Sequence, residues 1–184
     1  MHPLTAVIAL VVVMAIFIPS SVVSAQSATG AFNPQTQFQV GSKIGIRSVY
    51  GVASPRPQGG YGQSHSWNQS QQNLPTYNAS ITLDIQITNA ISGGGIQFTV
   101  QDGVVVVDTS TIAITGGMGQ ISGIDRITME GTATSTSSQS INWHMNGLTA
   151  LVNGTVVAEL TGGIPIDENG ATTNLVVTYI ATID

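Results

Sequence analysis

The sequence has 184 residues, with 4 Lys and Arg, 9 Asp and Glu, no cysteine and a formal net charge of −5. Four cations cannot form the basic surface that nucleic acids and anionic lipids require, which argues against both classes of partner. The absence of thiols excludes disulfides and thiolate metal sites, so apolar packing and backbone hydrogen bonds must hold the fold.

The first element along the chain is an unbroken apolar run over residues 6–18, closed by Pro19. It has the length of a signal-peptide core and is shorter than the ~20 residues that a membrane-spanning helix needs. Small residues at the end of the following stretch predict cleavage after Ala25, so residues 1–25 are interpreted as a signal peptide. The preceding MHPLT contains no Lys or Arg, which leaves an uncleaved N-terminal anchor as the alternative. We expect a secreted or extracellular cell-surface protein, with no membrane insertion apart from this segment.

The next part of the chain, residues 26–78, is polar and of low complexity, rich in Gly, Ser, Gln, Asn and Pro. Polar and apolar residues alternate over 37–40 and 43–47, which predicts one or two short strands. Residues 54–78 have no hydrophobic period and predict a long surface loop. Two aromatic residues in that loop, Tyr61 and Trp67, are candidates for stacking on a sugar ring, the alternative being that they pack onto the domain.

Residues 79–184 predict an antiparallel β domain. Apolar residues recur at every second position from residue 81 onwards, which is the period of half-buried strands. On one such strand Trp143 and Met145 share the inward face, while His144 lies on the polar face. No segment shows a helical period over a useful length. The fold class is therefore predicted as all-β, either an antiparallel β-sandwich or a small β-barrel built from hairpins.

Turn signals separate these strands. Asp102-Gly103 and Asn153-Gly154 have the chemistry of two-residue hairpin turns, because both residue types tolerate a positive φ. The glycine-rich GGMG of residues 116–119 also predicts a turn.

One short motif suggests catalysis. Residues 105–111, VVVDTST, resemble the active-site loop of aspartic proteases, where an apolar strand leads into Asp-Thr-Gly. The resemblance implies Asp108 as the catalytic carboxylate of an aspartic-type peptidase. Ser110 stands where that family has glycine, and no second copy of the motif exists, so the required carboxylate pair would need a symmetric dimer. The other interpretation is a turn in which polar side chains bond to neighbouring backbone groups.

The sequence offers little else for catalysis or metal binding. His65 and His144 are far apart and have no metal-ligand spacing, and no GxSxG nucleophile motif occurs. The glycine-rich stretches do not open helices, so no phosphate-binding loop is predicted. We therefore predict no metal site, no cofactor and no enzymatic activity.

Three N-x-[ST] sequons mark candidate glycosylation sites on an exported chain: Asn68, Asn78 and Asn153. The first two lie in or beside the polar loop, and the third lies in a predicted hairpin turn. All three positions are expected to be exposed.

The signal peptide, the cysteine-free strands and the segments IQFTVQDG, VVDTSTIAITGGMGQI and RITMEG within residues 96–131 resemble small secreted β-proteins of ammonia-oxidising archaea. The resemblance implies a cell-surface or extracellular location and carries over no functional residues.

These observations favour an exported, non-enzymatic protein of structural or adhesive role, whose partners are itself or other cell-surface proteins. Residues 35–50 could pair with the sheet edge of a neighbouring subunit and give a strand-exchanged assembly. The alternative is a secreted barrel or sandwich that binds a small apolar or glycan ligand, either inside a barrel or at Trp67.

Overall fold

Eight antiparallel strands form a closed barrel in the computed structural model, which describes residues 32–56, 75–123, 125–135, 138–168 and 171–184. The strands are β1 (Lys43–Pro55), β2 (Tyr77–Ala90), β3 (Ile96–Val107), β4 (Ser110–Ile121), β5 (Arg126–Thr134), β6 (Ser140–Val152), β7 (Thr155–Glu168) and β8 (Ala171–Ile183). A one-turn helix α1 (Pro34–Gln37) precedes β1, and a short 3₁₀ turn (Ser92–Gly94) joins β2 to β3. The prediction of an all-β fold is confirmed, in its small-barrel form.

Each strand pairs with its neighbours in sequence, and β1 closes the barrel by pairing with both β2 and β8. Ile46, for example, lies opposite Leu83 on one side and opposite Ile183 on the other. Closure leaves none of the eight described strands with a free edge. Both sides of β1 are paired within the chain, so residues 43–55 complete their own barrel, and exchange of residues 35–50 with a neighbouring subunit stays a prediction.

The interior of the barrel is filled by side chains. Apolar residues at alternate strand positions point inward, and the largest fully buried ones are Trp143, Tyr179 and Phe98. Trp143 and Met145 face inward as predicted, while His144 between them is exposed. A barrel of eight strands has an interior just wide enough for its own side chains to fill. This packing argues against the hypothesis of an apolar ligand inside the barrel.

Two glycine-rich segments predicted as turns are parts of strands. Asp102 and Gly103 lie inside β3, and residues 116–119 lie inside β4. Gly103 faces the side chain of Leu83 so closely that a Cβ would lie 2.6 Å from Leu83 Cδ2. Glycine is thus needed here because β2 and β3 approach closely, and it does not form a turn.

The hairpin turns occur elsewhere. Asn153-Gly154 connects β6 to β7 as predicted, with both residues at positive φ (52° and 82°). The turn between β3 and β4 is formed by Asp108 and Thr109, with Asp108 at φ 53°.

The segment before β1 covers one end of the barrel. Residues 37–40 were predicted as a strand, but Gln37 ends α1 and a turn follows. The helix forms because Asn33 caps its N-terminus, accepting a hydrogen bond from the Gln35 backbone N–H through Oδ1 at 3.0 Å. Gln35 Nε2 in turn donates to the carbonyls of Ile91 and Gly95, which ties the helix to the β2–β3 connection. None of the described helices is long and apolar enough to span a membrane.

Candidate functional site

A groove of about 610 Å³ crosses the outer face of the barrel over strands β2 to β6. A second groove of about 480 Å³ adjoins it and shares three of its lining side chains, Met118, Glu130 and His144. The remaining polar residues that line the larger groove are Thr88, Gln97, Thr99, Gln120, Thr128 and Asn146. We refer to the two together as the outer groove.

Strand register brings the three shared residues into one row. Met118 of β4 lies opposite Glu130 of β5, which lies opposite His144 of β6. The next position in the row is Gly163 of β7, and a Cβ there would lie 3.6 Å from His144 Cε1. His144 therefore extends over a position that carries no side chain. Met118, Glu130 and His144 are all exposed, Met118 to 64 %.

Inward-facing glycines lie directly beneath the groove. A Cβ on Gly119 would collide with the ring of Phe98, and a Cβ on Gly117 would lie 3.1 Å from Cζ2 of Trp143. Without side chains at these positions, the backbone of β4 can lie directly on the two buried rings. Trp143 Nε1 donates to the carbonyl of Thr132 at 3.2 Å, so the indole is fully satisfied in the interior.

The groove can supply hydrogen bonds to a ligand laid across the strands. Its hydroxyl and amide groups both donate and accept, while Glu130 adds a carboxylate acceptor and His144 an imidazole. Met118 adds an exposed apolar side chain at the β4 end of the row. The lining contains no Lys or Arg, so it lacks the cations that recognise phosphates and other anions.

Asp108 occupies an exposed tight turn. Its backbone N–H donates to the carbonyl of Asn78 at 2.9 Å, which joins the β3–β4 turn to the start of β2. The Asp-Thr-Ser motif therefore begins in a turn, as the second interpretation predicts, while the bonding of its side chains to neighbouring backbone groups stays a prediction. A shared proton between two carboxylates requires a shielded pair, and an exposed turn at the end of the barrel does not provide that environment.

The candidate glycosylation sites fall at different places. Asn78 is exposed at the start of β2, and Asn153 is exposed in the β6–β7 turn at the opposite end of the barrel. The third site, Asn68, lies outside the described residues, as do the candidate ligand-binding aromatics Tyr61 and Trp67. The two glycosylation candidates that the structure describes, Asn78 and Asn153, therefore lie far apart.

The described part of the chain contains no group of three or more His, Cys, Asp or Glu side chains placed to hold a metal ion. His144 occupies the solvent-facing position that the strand pattern predicts, and its place in the groove is the new observation. Neither Met118 nor Glu130 was singled out in the sequence. The alternation of β5 places Glu130 outward, but only the register of three strands shows that Met118, Glu130 and His144 are neighbours.

Comparison with known proteins gives no relative: no protein-family model, no curated protein and no solved structure matches this chain.

Proposed function

We propose that this chain is an exported, non-enzymatic protein of the cell surface with a structural and adhesive role. The observation that carries the proposal is the division of the barrel into a filled apolar interior and an outer face of neutral hydrogen-bonding side chains. Thr, Gln and Asn line the outer groove, and only 7 % of the whole sequence is charged. Such a face suits contact with other neutral, hydroxyl-rich surfaces.

The adhesive part of the role is assigned to the outer groove, with a neutral saccharide as the ligand. A saccharide presents a high density of hydroxyl groups, and the lining offers both donors and acceptors within one concave surface. Met118 provides an apolar contact for the C–H face of a sugar ring. The lack of cations in the lining disfavours sulfated and phosphorylated glycans.

Export is tested with a chain that carries a C-terminal epitope. We expect intact cells to expose the epitope to added protease, and N-terminal sequencing of the protein to begin at Gln26. Retention of an intact N-terminus on an otherwise accessible protein would support the anchor alternative within the same surface role. A chain that stays in the cytoplasm would overturn the proposal.

Saccharide binding is tested by screening the purified chain against a panel of neutral oligosaccharides and measuring the hits by calorimetry. We expect Glu130→Leu and His144→Leu each to weaken binding by about tenfold, because each leaves a sugar hydroxyl without its partner. Thr111→Leu is the matched control, since Thr111 is an exposed β4 residue outside the groove lining. Equal binding by all three variants would exclude the groove as the site.

A further inference from the structure

A second outward-facing feature lies beside the outer groove and centres on Leu148 of β6. This leucine is 51 % exposed. Strand register places Arg126 of β5 opposite it on one side and Glu159 of β7 opposite it on the other. Both charged residues are exposed. We call these three residues the Leu148 face.

Neither Arg126 nor Glu159 forms an ion pair with another residue that the structure describes. In the part of the chain that the structure describes, the ion pair found joins Arg47 to Asp84, on β1 and β2. Arg126 and Glu159 are separated by the intervening strand β6 and form no such pair with each other. In a sequence with only 4 Lys and Arg, an exposed cation and an exposed anion that flank an exposed leucine form a distinctive pattern.

The pattern is complementary to itself. Consider two copies placed face to face and related by a two-fold axis that lies between them, parallel to β6, over Leu148. Each Leu148 then contacts the other Leu148, and the residue on the β5 side of one copy faces the residue on the β7 side of the other. Each Arg126 therefore meets the second copy's Glu159. A two-fold contact of this kind uses the same surface on both subunits.

The neighbouring row agrees with this arrangement. Asn146 of β6 lies opposite Thr128 of β5 and Thr161 of β7. The same two-fold axis would place Asn146 against Asn146, where two amides can exchange hydrogen bonds, and Thr128 against Thr161. No like charges are brought together in either row.

We infer that the Leu148 face joins two copies of the chain into a symmetric dimer, held by Leu148 against Leu148 and by two Arg126–Glu159 ion pairs. The inference deepens the proposed surface role, on which its biological meaning rests, by naming the partner and the contact. Thr128 and Asn146 also line the outer groove, so the dimer contact covers the edge of each groove that these two residues form.

Charge reversal provides the test, measured by analytical ultracentrifugation of the purified chain over a range of concentrations. We expect the unaltered chain to dimerise, and Arg126→Glu or Glu159→Arg alone to raise the dimer Kd by about tenfold or more, because two like-charged contacts replace two attractive ones. Mixing equal amounts of the two variants is expected to restore the dimer, since each mixed pair again joins opposite charges at both contacts.

Lys43→Glu is the matched control, because Lys43 is an exposed cation on β1, away from this face. It is expected to leave the dimer Kd unchanged. Circular dichroism of each variant checks that the barrel is folded. A chain that is monomeric at every concentration, or a dimer that tolerates both reversals, would overturn the inference. Failure of the surface role would instead appear as a cytoplasmic chain in the export experiment, which does not depend on these residues.

Discussion

The ring of Tyr179 on β8 lies directly against Gly51 on the adjacent strand β1, in the space that a side chain at position 51 would otherwise fill. A Cβ on Gly51 would collide with Tyr179 Cδ1 and with the carbonyl oxygen of Ala79. Because one of these neighbours is backbone, a simple change of side-chain rotamer cannot relieve the collision. The pair joins the two strands that close the barrel.

Gly51→Ala is therefore expected to lower the free energy of unfolding by about 2 kcal/mol, since overpacking a filled core forces backbone shifts. Gly163→Ala is the matched control, because a Cβ there meets only His144 Cε1 at an ordinary 3.6 Å. That control should be neutral or raise stability by a few tenths of a kcal/mol, through a smaller entropy of the unfolded chain. Denaturant unfolding of both variants makes the comparison, and equal effects would contradict the packing argument.

Among the residues that the structure describes, the buried hydroxyl of Tyr179 has no hydrogen-bond partner. An unsatisfied buried hydroxyl costs about 1 kcal/mol or more, so Tyr179→Phe is expected to raise stability by about 1 kcal/mol at neutral pH. Tyr50→Phe is the control, because Tyr50 is 46 % exposed. Thermal or denaturant unfolding measures both, and a loss of stability in Tyr179→Phe would show that the hydroxyl has a partner.

The burial of Tyr179 also predicts that the stability of the fold depends on pH. Burial raises the pKa of the Tyr179 phenol well above its ordinary value of 10.0. Above about pH 10 the unfolded chain loses this proton while the folded chain keeps it, so the contribution to stability is present below that pH and falls as pH rises. The slope approaches about 1.4 kcal/mol per pH unit. The stability advantage of Tyr179→Phe over the unaltered chain should therefore grow above pH 10, and a constant difference would contradict the burial of the phenol.

We predict that Asp108 contributes to stability through its backbone conformation and not through its carboxylate. A β-branched residue at φ 53° is strained, so Asp108→Val should lower stability by about 1–2 kcal/mol. Asp108→Asn, which tolerates the left-handed conformation and removes the charge, should change stability by less than about 0.5 kcal/mol. Unfolding midpoints measure the two effects. A large effect of Asp108→Asn would indicate that the carboxylate itself has a role.

Charge balance around Arg47 gives a further prediction. Arg47 Nη2 forms an ion pair with Asp84, and Nη1 donates to the carbonyl of Leu83 at 2.6 Å. Asp84 in turn lies opposite Asp102 on β3, so two like charges are neighbours across the strands. Asp102→Asn should raise stability by a few tenths of a kcal/mol at low salt, because all three groups are exposed and screened. The gain should shrink in 1 M salt; a salt-independent gain would have another cause.

The strands could be predicted because their signal is local. Alternation of apolar and polar residues depends on the side-chain period of a strand, which places Ile127 and Met129 inward whatever the neighbouring strand is. The turn at Asn153-Gly154 could be predicted for the same reason, because the two residues that adopt a positive φ are the turn residues themselves.

Other features depend on partners that are distant in sequence. Asp102-Gly103 has the composition of a turn, but glycine is required at position 103 because Leu83, about twenty residues earlier, packs against it. The outer groove and the Leu148 face each depend on the register of three or more strands, which no short window of sequence contains. Closure of the barrel is a property of this kind as well, because it rests on pairing between β1 and β8.

The pairing between β1 and β8 affects how the chain folds during its synthesis. Gly45 and Asp184 exchange backbone hydrogen bonds of 2.6 and 3.0 Å, so residues 139 positions apart complete the last ladder. Contacts of such long range slow folding, and closure has to wait until residue 184 has been synthesised. Until then β1 and β7 each present an unpaired edge, which is the kind of surface that seeds aggregation. A shortened chain that lacks β8 is accordingly expected to accumulate as insoluble material.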